Sequence, residues 1–294
     1  MMNWQGVWVA IVTPFRKGSV DVPALQALVK GLLDAGVQGI CPCGTTGEGA
    51  TLTDSEFTQV VEAVMAQSNG KACVVPGTGT ADTEKTIART KLAKKLGTEG
   101  ALVVTPYYVK PTQDGLIRHY SRIAESADFP MMLYNVPGRT AVNMLPSTVE
   151  KLSVDSRIAA VKECAPLNQA ADLIRRVGER VAVFTGEDGV FLPFLVLGGR
   201  GTVSVVANVV PERWVEIYLC VQKGDWVKAR TTFLSLGPFI ETLFIESNPI
   251  PVKAALEMLG WIDGELRSPL APISEPNRKR LKEELSKLGL RSLK

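Results

Sequence analysis

A lysine closes the apolar run Arg157–Glu163 (R-I-A-A-V-K-E), an unusual place for a cation. Strands buried on both faces of a parallel sheet read as near-continuous apolar segments. Lys162 would stand at the end of one, where burying an ammonium is costly and its pKa should fall. A neutral amine attacks carbonyls, and Schiff-base lysines arise in this way. The competing reading is a lysine whose stem lies on apolar surface while its head reaches water. Strand alternation puts Lys162, Ala160 and Ile158 on one face and Val161 and Ala159 on the other. Small Ala160 would leave room beside the lysine.

Other polar groups fall where further apolar runs end. Gly44-Thr45-Thr46-Gly47-Glu48 offers backbone N–H groups beside two hydroxyls, suited to a carboxylate or phosphate. It is not a nucleotide P-loop, because no Gly-Lys-Ser/Thr follows. Tyr107, Tyr108 and Tyr134 read singly as amphipathic rim aromatics; together they are phenols able to pass protons. Arg139, after Pro137-Gly138, could hold a carboxylate as a fork or make a surface ion pair. His119, the single histidine, lies within a helical stretch and reads as structural. Cys41-Pro-Cys43 and Cys164 do not have zinc spacing, so no metal is expected.

The elements that must position these groups alternate regularly. Apolar runs at Gly6–Phe15, Val37–Cys43, Ala72–Pro76, Gly100–Thr105, Met131–Asn135, Ile158–Lys162, Val181–Thr185 and Thr202–Val206 read as strands. Helical patterns lie between them. Asp21 caps a helix whose apolar face is Leu25, Leu28, Val29, Leu32 and Leu33, stopped at Gly36. Thr53-x-x-Glu56 is a capping box, with Phe57, Val60, Val61 and Val64 facing inward. Further helices are expected over Asp82–Leu96 (Ala88, Leu92 and Leu96 inward), Gln113–Ala127, Pro146–Leu152, Leu167–Val177, Val190–Leu197 (fully buried) and Glu212–Gln222. Eight strand–helix units predict an α/β fold, a (β/α)8 TIM barrel over residues 1–224. A doubly wound open sheet would show one dominant nucleotide loop instead. Helices alone follow, at Trp226–Phe244, Pro251–Leu259 and Pro276–Leu288, so residues 225–294 read as a C-terminal helical appendage.

Composition narrows the function classes. Lys and Arg number 33 against 30 Asp and Glu, a formal charge of +3, too small to argue for nucleic acid or an anionic membrane. No run approaches the roughly 20 apolar residues of a bilayer span. The start, M-M-N-W-Q-G, lacks a basic segment followed by an apolar one, so no signal peptide is expected. Five cysteines in a chain of this length point to reduced thiols and the cytoplasm.

Four strings together resemble the dihydrodipicolinate synthase family: Gly44-Thr45-Thr46-Gly47-Glu48, Val104-Thr105-Pro106-Tyr107-Tyr108, Tyr134-Asn135-Val136-Pro137-Gly138-Arg139-Thr140 and Val161-Lys162-Glu163. The likeness reaches Asn248-Pro249-Ile250-Pro251-Val252-Lys253. The lysine and the glycine-threonine loop are shared with N-acetylneuraminate lyase and 2-keto-3-deoxy-sugar-acid aldolases; the Tyr134–Thr140 string is more specific. The resemblance implies a lyase of the diaminopimelate branch of lysine synthesis, with no cofactor beyond a covalent pyruvate imine on Lys162. Thr45 and Thr46 would hold the pyruvate carboxylate. Thr45, Tyr134 and Tyr108 would form a proton relay, Tyr108 crossing from the neighbouring subunit of a tight dimer. Arg139 would grip L-aspartate 4-semialdehyde, and Gly186 and Val203 would line the pyruvate pocket. A homotetramer, a dimer of tight dimers, is implied. The chain departs from the family at Glu163-Cys164-Ala165-Pro166, where many members read Glu-Ala-Ser/Thr-Gly. It departs again at Gly49, Asp54, Phe57, Ala81 and Lys85, where lysine-inhibited members carry Ser, His, Asn and Glu, with Tyr107 alone kept. Weak or absent feedback by L-lysine is the expectation.

Overall fold

The computed structural model describes residues 4–290; the stretches 1–3 and 291–294, which carry parts of the N-terminal reading and of the C-terminal region, lie outside the described residues. Eight short strands form the frame: β1 (Gly6–Val9), β2 (Gly39–Ile40), β3 (Cys73–Val74), β4 (Ala101–Val104), β5 (Met131–Asn135), β6 (Ile158–Glu163), β7 (Ala182–Thr185) and β8 (Gly201–Ser204). Their hydrogen-bonded order is β3-β2-β1-β8-β7-β6-β5-β4, all parallel. The two ends of this row meet. Gly77, just past β3, bridges Leu102 of β4, where Thr78 N donates to Leu102 O and Leu102 N to Pro76 O, each at 2.9 Å. The sheet thus curls into the expected barrel.

The barrel interior is a packed core of Trp8, Cys41, Val75, Leu102, Met132, Ala160, Phe184 and Val203. Gly39 is required there, because a Cβ on it would meet the Trp8 indole at 2.2 Å. The room expected beside Ala160 is therefore filled, since Ala160 is fully buried among these side chains. One face assignment is corrected. Ile158 packs with Val161 in the helix-facing core, not with Lys162, because the β5–β6 register slips between Met131↔Ile158 and Met132↔Ala160. Such a bulge turns one residue to the opposite face.

Helices cover the strands largely as the pattern predicts. Asp21 accepts from Ala24 N at 3.1 Å, and Thr53 and Glu56 complete their capping box. The helix Thr83–Lys95 differs: it buries Thr86, Ile87, Thr90 and Ala93, leaving Ala88 exposed and Leu92 and Leu96 half-buried. Its buried hydroxyls are paired internally, Thr90 with Thr78 at 2.9 Å and Thr86 with Asp82 O at 2.8 Å, so hydroxyl residues serve as its inner face. The helix Phe191–Val196 is not fully buried, with Val196 62% exposed. The stretch 226–244 forms two helices, Trp226–Ser235 and Gly237–Leu243; Pro238 opens the second and lacks the N–H to continue the first.

The C-terminal helices share one hydrophobic cluster with the barrel, in which Leu236, Phe239, Val252, Leu256 and Leu281 join Val12, Val206 and Trp214. Arg267 reaches back to Glu56, donating to its Oε2 at 2.7 Å. This hydrogen bonding to Arg267 holds the Glu56 carboxyl down at about 2. The folded value lies below the ordinary 4.5, so the pair contributes stability above pH 4.5 that is lost as pH falls toward 2. Glu56→Gln should therefore flatten the acid limb of a thermal-midpoint profile; an unchanged limb would show that the pair contributes nothing.

Candidate active site

Lys162 ends β6 inside the barrel mouth, 5% exposed, with Nζ 4.4 Å from the centroid of the Tyr134 ring on the neighbouring strand. Burial alone pushes this lysine down, as expected from the sequence. The groups facing it, Tyr134, Cys164, Cys41 and Asp188, push it up, and the balance lies above the ordinary lysine value. The expectation of a lowered pKa is thus corrected: the acidic groups around the amine, where ionised, outweigh its burial. Tyr134 is also raised, chiefly by burial, against the opposing effects of Lys162 and of a hydrogen bond with Thr45. It is a neutral phenol at neutral pH, its ring lying against the amine. Burial drives Cys41 up to about 12 and Cys164 higher still, so both are thiols.

The loop bearing Thr45 and Thr46 follows β2 and turns through left-handed backbone at Cys43 (φ +57°) and Glu48 (φ +53°). Its glycines permit close approach: a Cβ on Gly49 would lie 1.9 Å from Cys43 O. Thr13 Oγ1 donates to Gly47 O at 2.7 Å. Beneath the loop, Glu48 pairs with Lys253 at 2.6 Å, both side chains almost entirely buried, and Lys253 Nζ also donates to Thr13 O at 3.0 Å. Asn248 Nδ2 donates to Thr46 Oγ1 at 2.9 Å, and Asn248 O accepts from Arg139 Nη2 at 3.0 Å. The helical region after the barrel therefore braces the mouth directly.

Thr45, Tyr107, Tyr134, Arg139 and Asn248 line one cleft of about 900 Å³. The cleft continues past Gly49, Asp54, Ala81 and Lys85, whereas Phe57 is fully buried and does not line it. Tyr108 is not brought together with Lys162 by this chain: it is 91% exposed on left-handed backbone (φ +71°). Val203 is buried opposite Trp8 in the barrel wall. Gly186 lies against the lysine, and a Cβ there would meet both Lys162 Cε and Cys164 Sγ at 2.4 Å. Gly186→Ala should displace the amine and lower turnover about a hundredfold with the fold intact, since misplacements near 1 Å cost that much. Turnover within threefold of the parent would mean that the lysine tolerates the displacement.

Several supporting residues had no assigned role in the sequence. Glu163, pointing outward beside Lys162, accepts from Asn135 Nδ2 and Ala165 N, both at 2.8 Å, and clamps the ends of β5 and β6. Asp188 accepts from Ser204 Oγ at 2.5 Å and Val205 N at 2.9 Å, pinning the end of β8. Burial first, against these hydrogen bonds, raises it to about 6, so it is largely ionised at neutral pH and supplies negative charge toward Lys162. A lysine inside the apolar run Ile250–Leu256 was the available signal for Lys253; nothing local marks Asp188. His119 is buried in its helix, its Nδ1 2.9 Å from Thr83 Oγ1.

A family model described as the dihydrodipicolinate synthetase family matches residues 3–288. A 4-hydroxy-tetrahydrodipicolinate synthase of Thermodesulfovibrio yellowstonii is 46% identical over 288 residues, covering 98% of this chain and 99% of that protein. A solved dihydrodipicolinate synthase from Thermotoga maritima matches with TM-score 0.96 at 41% identity, over 99% of this chain and 100% of that one. The chloride-inhibited dihydrodipicolinate synthase from Acinetobacter baumannii, complexed with pyruvate, matches with TM-score 0.96 at 39% identity, over 98% and 100%. Since the likeness runs through all eight strands and the helices that brace the mouth, the chain belongs to the dihydrodipicolinate synthetase family.

Proposed function

We propose that this chain is a 4-hydroxy-tetrahydrodipicolinate synthase, condensing pyruvate with L-aspartate 4-semialdehyde on Lys162. The observation that carries the reading is the buried Lys162 amine against the Tyr134 ring, which lines one cleft together with Thr45. Tyr134 and Thr45 relay toward solvent the proton that the Lys162 nitrogen loses as it adds to pyruvate, each hydroxyl passing its own proton on as it receives one. The amine adds to C2 of pyruvate, water leaves, and an imine forms. Loss of a C3 proton makes the enamine, with the imine nitrogen accepting the electron pair, so neither metal nor organic cofactor is needed. The enamine carbon attacks the aldehyde, whose oxygen takes a proton from the tyrosine relay. The semialdehyde's own amino group then adds to C2 and displaces Lys162, closing the ring.

In this reading Thr45 and Thr46 hold the pyruvate carboxylate, Arg139 the acceptor's carboxylate, and Gly186 and Val203 shape the pyruvate end. Tyr108 completes the relay of a neighbouring subunit, its exposure supporting a contact across a tight dimer, with two dimers making a tetramer. Residues 1–224 carry the chemistry and 225–294 brace it. Among the described residues no helix is long and apolar enough to cross a membrane, and all five cysteines are free, which supports a cytoplasmic enzyme. Lys85 in the extended cleft opposes an ammonium ligand, so L-lysine should not inhibit well below the millimolar range.

Borohydride reduction with pyruvate, followed by peptide mass mapping, tests the mechanism. A pyruvyl adduct on Lys162 is expected, and no adduct, or one on Lys253, would sink it. Turnover with aspartate semialdehyde tests the acceptor. Turnover with a 2-keto-3-deoxy sugar acid or N-acetylneuraminate instead would place the chain among the aldolases, and binding without turnover would make it a keto-acid sensor.

A further inference from the structure

Asn248 sits 202 residues beyond Thr46 and is 7% exposed, yet its amide makes one polar contact among the described residues, to the Thr46 hydroxyl. Its Oδ1 is buried with no partner. The direction of that contact matters. Nδ2 can only donate, so Thr46 Oγ1 accepts, and the hydroxyl's own proton must point elsewhere. Thr46 lies in the loop read above as the carboxylate cradle, and a hydroxyl with its acceptor side occupied is left as a donor to an anion. The Asn248 backbone carbonyl meanwhile fixes Arg139 at 3.0 Å, so one residue of the C-terminal region touches the groups assigned to both substrates.

We propose that Asn248 is a positioning residue that sets the polarity of the Thr46 hydroxyl, turning it into a donor for the carboxylate of the keto-acid substrate, while its carbonyl seats Arg139. The proposal rests on the function proposed above. A neutral amide suits this role because it donates to Thr46 without bringing charge near the substrate. A carboxylate of the same shape would reverse the bond, drawing the hydroxyl proton to itself and adding a negative charge beside the bound anion.

Steady-state kinetics and borohydride trapping with pyruvate on Asn248→Ala, Asn248→Ser and Asn248→Asp test the proposal, with circular dichroism to confirm folding. Asn248→Ala frees the hydroxyl to rotate and should raise the KM for pyruvate about tenfold, the value of one hydrogen bond to a charged group. Asn248→Asp, closer to the native shape, should be worse, at about a hundredfold. The kcat should stay within about threefold, as expected when uniform binding is removed. The KM for aspartate semialdehyde should change little, because the backbone carbonyl on Arg139 remains. Asn248→Ser retains a small donor and should recover part of the loss seen with alanine.

A packing role predicts the reverse order, since the isosteric Asp would then be the mildest change. An Asp variant equal to or better than Ala for pyruvate overturns the proposal. If the Asp variant does not fold, the Ser and Ala variants decide, and equal KM values for these two overturn it. A parent enzyme that forms no pyruvyl adduct on Lys162 overturns the proposed function instead, so the two failures are distinguishable.

Discussion

Lys162→Ala should abolish the borohydride-trapped pyruvyl adduct and lower turnover by at least about a thousandfold. The side chain is the covalent carrier, and Tyr134, Thr45 and Arg139 cannot replace it: a phenol, a hydroxyl and a guanidinium form no imine. Stability should change little. The substitution loses the packing of the lysine stem, but it also removes an ammonium that is 5% exposed and whose burial opposes the charge. The measurement pairs mass mapping of the reduced protein with a coupled turnover assay on the same preparation. A variant retaining a tenth of the parent rate would mean that the buried lysine is structural. That outcome would leave the family membership standing and remove the proposed chemistry.

Lys253→Met should destabilise the folded state by about 3–5 kcal/mol, the usual cost of leaving a buried charge without its partner. Glu48 would stay in place with its side chain 1% exposed, holding only the N–H of Arg267 at 3.0 Å through its other oxygen. Burial pulls the Lys253 pKa down and the Glu48 carboxylate opposes it, so the pair exists because each charge compensates the other. Glu48→Gln combined with Lys253→Met should recover most of the loss, because replacing both charges removes the desolvation cost along with the attraction. The double variant should still turn over more slowly than the parent, since the pair fixes the loop that presents Thr45 and Thr46. Denaturant midpoints at one fixed protein concentration give the comparison. A single variant losing less than about 1 kcal/mol would mean that water reaches the pair.

Much of this arrangement was readable from local pattern. The bounds Gln113–Ala127, Met131–Asn135, Pro146–Leu152 and Leu167–Val177 coincide with the elements observed. Each is set by nearby chemistry: a threonine cap or a proline at the start of a helix, or an apolar run that only a doubly buried strand requires. The alternation of eight such runs with helices sufficed for the barrel, and the strand-end position of Lys162 followed from the same pattern. Ile158, on the same strand, shows where local pattern stops. Simple alternation placed Ile158 on the lysine's face, and a register slip against β5 moved it away. A register is a relation between two strands, and neither strand encodes it alone.

The sign of the Lys162 shift has the same origin. Burial could be read from the apolar run and points downward, but Tyr134, Cys41 and Asp188, brought in from other strands and loops, join Cys164 in turning the balance upward. Asn248 and Lys253 are the furthest case, reaching back 202 and 205 residues to Thr46 and Glu48. By itself the sequence determined the barrel, the strand-end lysine and the glycine-threonine turn, because these depend on periodicity, burial and backbone freedom within a few residues. The tertiary structure decided how the lysine is charged, which hydroxyl faces which partner and what holds the mouth in shape. Those properties are sums over groups distant in the chain, and only folding brings the groups within hydrogen-bond reach.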